Sequence, residues 1–360
     1  MSRYELGMSI DYCSNWSIAD AVREFFQNAK DEETVNPDNK MYFNYENNVL
    51  TIGNKLSELS TKTLLLGVSS KRNDARTVGN FGEGYKVATV VLMRHGITVK
   101  IYNNEAKEIW TSKIVKSRRY QSDIVVYNIE KKFFKKDYDL IFELDGITED
   151  MYNEVRERIL DLQDDIGKTE SCQYGRILLE PRYSGNIYVS GLFVCHKDHI
   201  KWGYDFNPEV VTLDRDRGLV DTWDLKFSIA KLISSAVDVD FIVDNIKEPD
   251  LEYVELYLKN NKTKHQEAGK IIYDNFVETY GDDFYPVSTN DEFNVATDKG
   301  YKAVMVLDSE KNLIKPYVKE KQQGIDIESR YALWRDDARS FLTSTLLEEI
   351  DKLWEEKGKC

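Results

Sequence analysis

Along the first third of the chain, apolar residues recur with two different periods. Ile18, Val22, Phe25 and Ala29 fall three to four residues apart, which predicts a helix running to about Glu33 with Ser14 or Ser17 as its N-cap. Asn36-Pro37-Asp38-Asn39 ends it as a turn. Residues 41–45 and 49–52 then read as two strands of a hairpin around Glu46-Asn47-Asn48. A short capped helix is expected over 60–66, a polar and mobile stretch from 67 to 79, and a second full helix over 85–94. Further strands follow at 98–102, 108–114, 122–129 and 140–144, while residues 1–16 show no clear period. Helix, antiparallel strands, helix and more strands make an α+β two-layer sandwich with its site between helices and sheet, spanning residues 1–148.

Beyond it the pattern predicts an amphipathic helix over 148–162, strands at 176–179 and 187–194 joined by a turn at 183–186, and a helix over 223–237. These form a second α/β domain, 149–248. In 249–360, a small C-terminal α/β region, helices are expected at 251–259 and 267–280 and one apolar strand at 302–307. Most of 325–356 reads as a long helix whose Leu342, Leu346, Ile350 and Leu353 stripe belongs to a core. No repeat or low-complexity tract interrupts this order.

Composition narrows the class. The 360 residues are 41% apolar, 12% aromatic and 31% charged with six prolines, as in an ordered globular chain. No apolar run approaches the roughly 20 residues of a membrane helix, and no basic segment leads into an apolar one at the start, so a cytoplasmic protein, in a bacterium or a host cell, is expected. Four scattered cysteines suit reduced thiols, and Cys195-His196-Lys197-Asp198-His199 lacks the second cluster a closed zinc site needs. The formal charge of -14 argues against general nucleic-acid binding. The basic run through Lys113, Lys116, Arg118 and Arg119, then Lys131, Lys132, Lys135 and Lys136, reads as a solvated hairpin.

Two stretches carry chemistry. On the first helix Glu24, Asn28 and Asp31 stand at i, i+4 and i+7, which lines up a general base, a metal ligand and a further acid beside the buried stripe. In Gly79-Asn80-Phe81-Gly82-Glu83-Gly84-Tyr85-Lys86, glycines let backbone N–H groups approach phosphate oxygens and Lys86 adds a cation. One segment suits magnesium and water, the other phosphate. In Thr212-Leu213-Asp214-Arg215-Asp216-Arg217, the alternating charges are either surface ion pairs or arginines that sense a terminal phosphate.

These residues resemble the GHKL superfamily, the ATPases of the Bergerat nucleotide fold, which includes gyrase B subunits, MutL proteins, large heat-shock chaperones, MORC proteins and sensor histidine kinases. Glu24, Asn28, Ala29 and Asp31 match its helix motif, Gly79, Phe81, Gly82, Glu83, Gly84, Tyr85 and Lys86 its glycine loop, and Ser69-Ser70-Lys71 its lid segment. The resemblance covers residues 15–145 and implies ATP and magnesium as ligands, with Glu24 activating water, Asn28 holding the metal, and Gly82, Gly84 and Lys86 cradling phosphate. Asp31 sets the chain apart from the kinases, which usually carry lysine there. The second domain would be transducer-like and lend Arg215 or Arg217, with Lys197 behind them, to the nucleotide. Where the family has Asp-x-Gly-x-Gly, the chain has Gly53-Asn54-Lys55-Leu56-Ser57, so the usual acceptor for adenine is missing. Asp139, beside the strand that would face the base, is the candidate replacement.

Two functions follow. The first is a magnesium-dependent ATPase whose nucleotide state drives a lid and a domain movement. The second is a nucleotide-binding or interaction module that keeps the fold without hydrolysis and engages a protein partner or a second copy. Lys, Asn, Asp and Tyr usage suits a phage or mobile-element product in either case.

Overall fold

In the computed structural model the described residues are 2–64, 84–132, 137–211, 213, 222–246, 253–318, 331, 332, 334, 335, 338 and 342–357. The chain divides into two compact units, residues 1–271 and 272–360.

The first unit is built on a seven-stranded, fully antiparallel sheet of β1 (Ser2–Ser9), β2 (Met41–Glu46), β3 (Val49–Asn54), β4 (Thr98–Asn103), β5 (Glu108–Ser117), β6 (Ser122–Lys131) and β7 (Leu140–Asp145). Its strand order is β1-β6-β5-β4-β7-β3-β2. Helices α1 (Ile18–Val35), α2 (Gly84–Arg94) and α3 (Glu149–Arg158) lie over one face. Their apolar sides share a core with Leu50, Ile52, Val99, Ile101, Leu140, Phe142 and Leu144. Strand side chains alternate between faces, so the residues between these point to the outer face, where Lys100 and Tyr102 both bond Glu143. The class is α+β.

Helix α1 forms where its sequence says it should. Ser17 accepts from Asp20 N–H at 3.1 Å while the Asp20 carboxylate accepts from Ser17 N–H at 3.0 Å, a reciprocal capping box that selects Ser17 over Ser14. Val22, Phe25 and Ala29 are buried and Phe25 packs on Phe142 with ring centroids 5.0 Å apart. Burying side chains such as Val22 and Phe25 is worth roughly 1.5–3 kcal/mol each.

A five-stranded mixed sheet completes the unit: β8 (Thr169–Cys172), β9 (Gly175–Leu178), β10 (Asn186–Val189), β11 (Leu192–His196) and β12 (Gly203–Phe206), ordered β11-β10-β12-β9-β8. The single strand expected over 187–194 is two strands. Ser190 and Gly191, with φ of 53° and 78°, form the two-residue turn between them. Helix 148–162 likewise ends at Arg158, and a 3-10 turn, Leu160–Leu162, follows.

In the second unit β13 (Phe284–Val287) and β14 (Lys302–Met305) pair in parallel across the helix Asn290–Asp298. The C-terminal helix, Ser344–Lys357, does not bury the expected stripe, since Leu346 and Leu353 are exposed. Its half-buried positions are Leu347, Ile350, Asp351 and Trp354, a stripe set by the stacking of Trp354 on Tyr331 and the pairing of Asp351 with Arg335.

Candidate functional site

The polar stripe of α1 lies at the edge of the core. Glu24 and Asp31 are 1% and 4% exposed, and Asn28, one turn from each, is half-buried. Charged groups this deep are held by partners. Arg23 Nη2 lies 3.7 Å from Glu24 Oε1, and its Nη1 donates to the Phe193 carbonyl of β11 at 2.7 Å. Glu24 is thus tied through Arg23 to the second sheet.

Gly84 opens α2 against that stripe. A Cβ built on it would come closer to Glu24 Oε2 than the 3.0 Å that such atoms keep, and would stand 3.7 Å from Asn28 Nδ2. The backbone at the start of α2 therefore occupies space that any other residue would take from the carboxylate. An eleven-residue helix begins at that point, and its N-terminal N–H groups favour an anion.

The next two residues turn inward. Tyr85 is buried, shares a 2.9 Å hydrogen bond with Thr63 Oγ1, and its phenol is pushed upward by burial. Lys86 is fully buried and donates to the Thr63 carbonyl at 2.8 Å, which anchors the 3-10 turn Thr61–Leu64. Ser69, Ser70, Lys71, Gly79, Phe81, Gly82, Glu83, Arg215 and Arg217 lie outside the described residues, as does the expected mobile stretch. Lys197 follows β11, where its N–H donates to Gly185 O at 2.8 Å.

On the sheet, the alternation moves the comparison with the family motif by one residue. Leu50 and Ile52 face the helices, so Gly53 faces outward and Asn54 inward, where its amide donates to Ala29 O at 2.9 Å and Asn39 O at 3.3 Å. Asn54, and not Gly53, stands at the inner end of β3. Asp139 precedes β7, and its backbone bonds Lys55 and Asn104, the residues that follow β3 and β4.

Sequence patterns did not mark Arg23 or Lys30. Lys30 donates to Asp161 Oδ2 at 2.5 Å and to Ser190 O at 2.7 Å, and Arg158 donates to Asp20 at 3.1 Å, so the helix that carries Glu24 is held from the second sheet at Phe193 and Ser190 and from α3 and the turn after it at Arg158 and Asp161. The signal available was a cation, Arg23, inside a run of otherwise buried α1 positions.

No protein-family model matches the chain. An uncharacterised protein of Mycoplasma pneumoniae is 23% identical over 235 residues, which take in 62% of this chain and 94% of that one. The ATPase and transducer domains of DNA topoisomerase II from Balamuthia mandrillaris align with a TM-score of 0.30 and 12% identity over 54% of this chain. The chain spans 66% of that structure, just under two thirds. At that score the likeness decides nothing about the site. Among the described residues, no helix is long and apolar enough to cross a membrane.

Proposed function

We propose that the protein binds ATP with magnesium and hydrolyses it, with Glu24 as the group that orients and deprotonates water. The observation that carries this reading is the close packing of Gly84 against Glu24 and Asn28, so tight that a Cβ on Gly84 would overlap the carboxylate. It joins the carboxylate and amide of α1 to the N-terminus of α2, where phosphate oxygens are favoured. A buried carboxylate and a side-chain amide one helical turn apart suit the few protein ligands that magnesium takes beside phosphates. The ion supplies neutralisation of phosphate charge when bound. The chain's own part is then to position: Asn28 offers its oxygen, Glu24 accepts a proton from water, and Arg23 fixes the carboxylate. Links from α1 to Phe193 and Ser190 would carry a change at the site to the second sheet.

A second reading, nucleotide binding without turnover, is favoured by the full burial of Lys86, whose ammonium donates to the Thr63 carbonyl. Phosphate release with each of the four nucleoside triphosphates, wild type beside Glu24→Gln, separates the two. Release that depends on Glu24 supports the hydrolase. Binding by calorimetry with no release in either protein supports the second reading, and no binding of any triphosphate rejects both.

A further inference from the structure

The second unit holds a parallel sheet of two short strands, β13 and β14. Parallel strands are ordinarily covered on both faces and continued by further strands, and a two-stranded sheet is marginal by itself. Phe284 of β13 is buried against the rings of Tyr273 and Phe276, and Ala296 of the helix between the strands is buried too. The two edges differ. The register, with the Val306 N–H donating to Val287 O at 2.9 Å, turns Lys302, Val304 and Val306 toward β13 and leaves the backbone of Ala303 and Met305 facing away from it. On β13 an outward-facing position is Pro286, which has no N–H to offer a further strand. On β14 the N–H and C=O groups of Ala303 and Met305 have no partner among the described residues. The positions that flank them are satisfied: Tyr301 N–H donates to Ala296 O at 3.0 Å and Leu307 N–H to Glu310 Oε2 at 3.1 Å. The Lys302 ammonium is drawn to the Tyr280 carbonyl and to Asp283, just before β13, and does not guard the open edge.

We propose that β14 pairs with β14 of a second copy of this chain, antiparallel about a two-fold axis at Val304. In that register Ala303 of each copy stands opposite Met305 of the other, and the open N–H and C=O groups of both edges are exchanged as hydrogen bonds with none left over. The side chains fit the same register. Tyr301, Ala303, Met305 and Leu307 alternate onto one face, where Met305 and Leu307 are 50% and 47% exposed and Tyr301 stacks on Tyr285 with ring centroids 4.4 Å apart. Pairing sets each Met305 against an Ala303, large beside small, and each Leu307 against a Tyr301, while Lys302 meets Val306 and no like charge. The edge is thus complementary to itself, which favours a second copy over an unrelated extended peptide. The inference is independent of the ATPase reading, since it uses no nucleotide and none of the groups assigned to that site.

The test is sedimentation of the full chain without nucleotide, from about 5 μM to about 1 mM, the range in which an interface this small associates. A reversible monomer–dimer equilibrium is expected. Amide hydrogen exchange by NMR should show the Ala303 and Met305 amides slowing at least about tenfold as the dimer forms, whereas the Val304 amide, which faces β13, is protected at every concentration. Met305→Pro gives β14 the missing donor that Pro286 gives β13 and spares the ladder between the strands. Met305→Lys places a charge at an exposed edge position and decides the matter if Met305→Pro fails to fold. Each should weaken the dimer at least about tenfold with the melting temperature of the monomer unchanged. Three results overturn the proposal: wild type stays monomeric to about 1 mM, a dimer forms in which the Ala303 and Met305 amides exchange as in the monomer, or a folded Met305→Pro or Met305→Lys dimerises as wild type does.

Discussion

Gly84 lies so close to Glu24 that a Cβ on it would overlap the carboxylate oxygen Oε2. The atom it would strike is the end of a side chain that is 1% exposed, so the clash displaces a site group rather than a strand or helix. Gly84→Ala is therefore expected to lower ATP turnover by about tenfold or more and to weaken ATP binding, while melting changes little. Steady-state phosphate release and calorimetry read the two effects. Unchanged turnover and affinity in the folded variant would remove the glycine from the site.

Glu24 and Asn28 stand one turn apart on α1 but are assigned different work. Glu24→Gln keeps the shape and removes the base, so hydrolysis should fall by about 10²–10⁴-fold with ATP affinity nearly intact. Asn28→Ala should damage affinity and turnover together, because its oxygen belongs to the metal and phosphate side. Equal losses of affinity in the two variants would contradict the assignment of Glu24 as base.

The α1 stripe, its cap to within Ser14 and Ser17, and the positions along the chain of the first-sheet strands from β2 onward are legible because each follows from spacing within a short window. Ser17 with Asp20, and Phe25 with Ala29, are local patterns. What was not legible depends on pairing across the chain. Strand β1 buries just Leu6 and Met8 and is interrupted by Gly7 at a φ of 67°, so it has no period until β6 pairs with it. Strand β12 is buried at all four positions, so it shows no alternation of apolar and polar residues. Arg23 gains its role from Phe193, 170 residues away. The face of Gly53 is not legible for a related reason, since which side of β3 faces the helices is fixed by the neighbouring strands.

The outward position of Gly53 has a consequence for Gly53→Asp, which on the motif alone would restore an adenine acceptor. A Cβ at Gly53 would press on the Leu140 carbonyl of the adjacent strand, a backbone atom that cannot turn aside. The substitution is expected to lower stability by about 1–3 kcal/mol, seen as a lower urea midpoint, with no gain in preference for ATP over GTP. A tighter ATP complex in this variant would show that the side chain reaches the inner face after all.

The second unit should carry an acid-sensitive contact of its own. The Lys311 ammonium, 2.5 Å from Glu292 Oε1, and the Ser288 N–H, 2.9 Å from Oε2, hold the Glu292 carboxyl down at about 2 from its ordinary 4.5. A depressed carboxyl contributes stability that is fully present above about pH 4.5 and is lost as pH falls toward 2. The contact joins the loop after β13 to the helices on either side of β14, so its loss should loosen that layer first. Urea titrations followed on NMR resonances of residues 284–314 should show the wild-type midpoint falling through this window. The Glu292→Gln midpoint, lower at neutral pH, should stay nearly flat and meet the wild-type curve near pH 2. If both proteins lose stability in parallel between pH 4.5 and 2, other carboxylates govern the acid response and Glu292 does not.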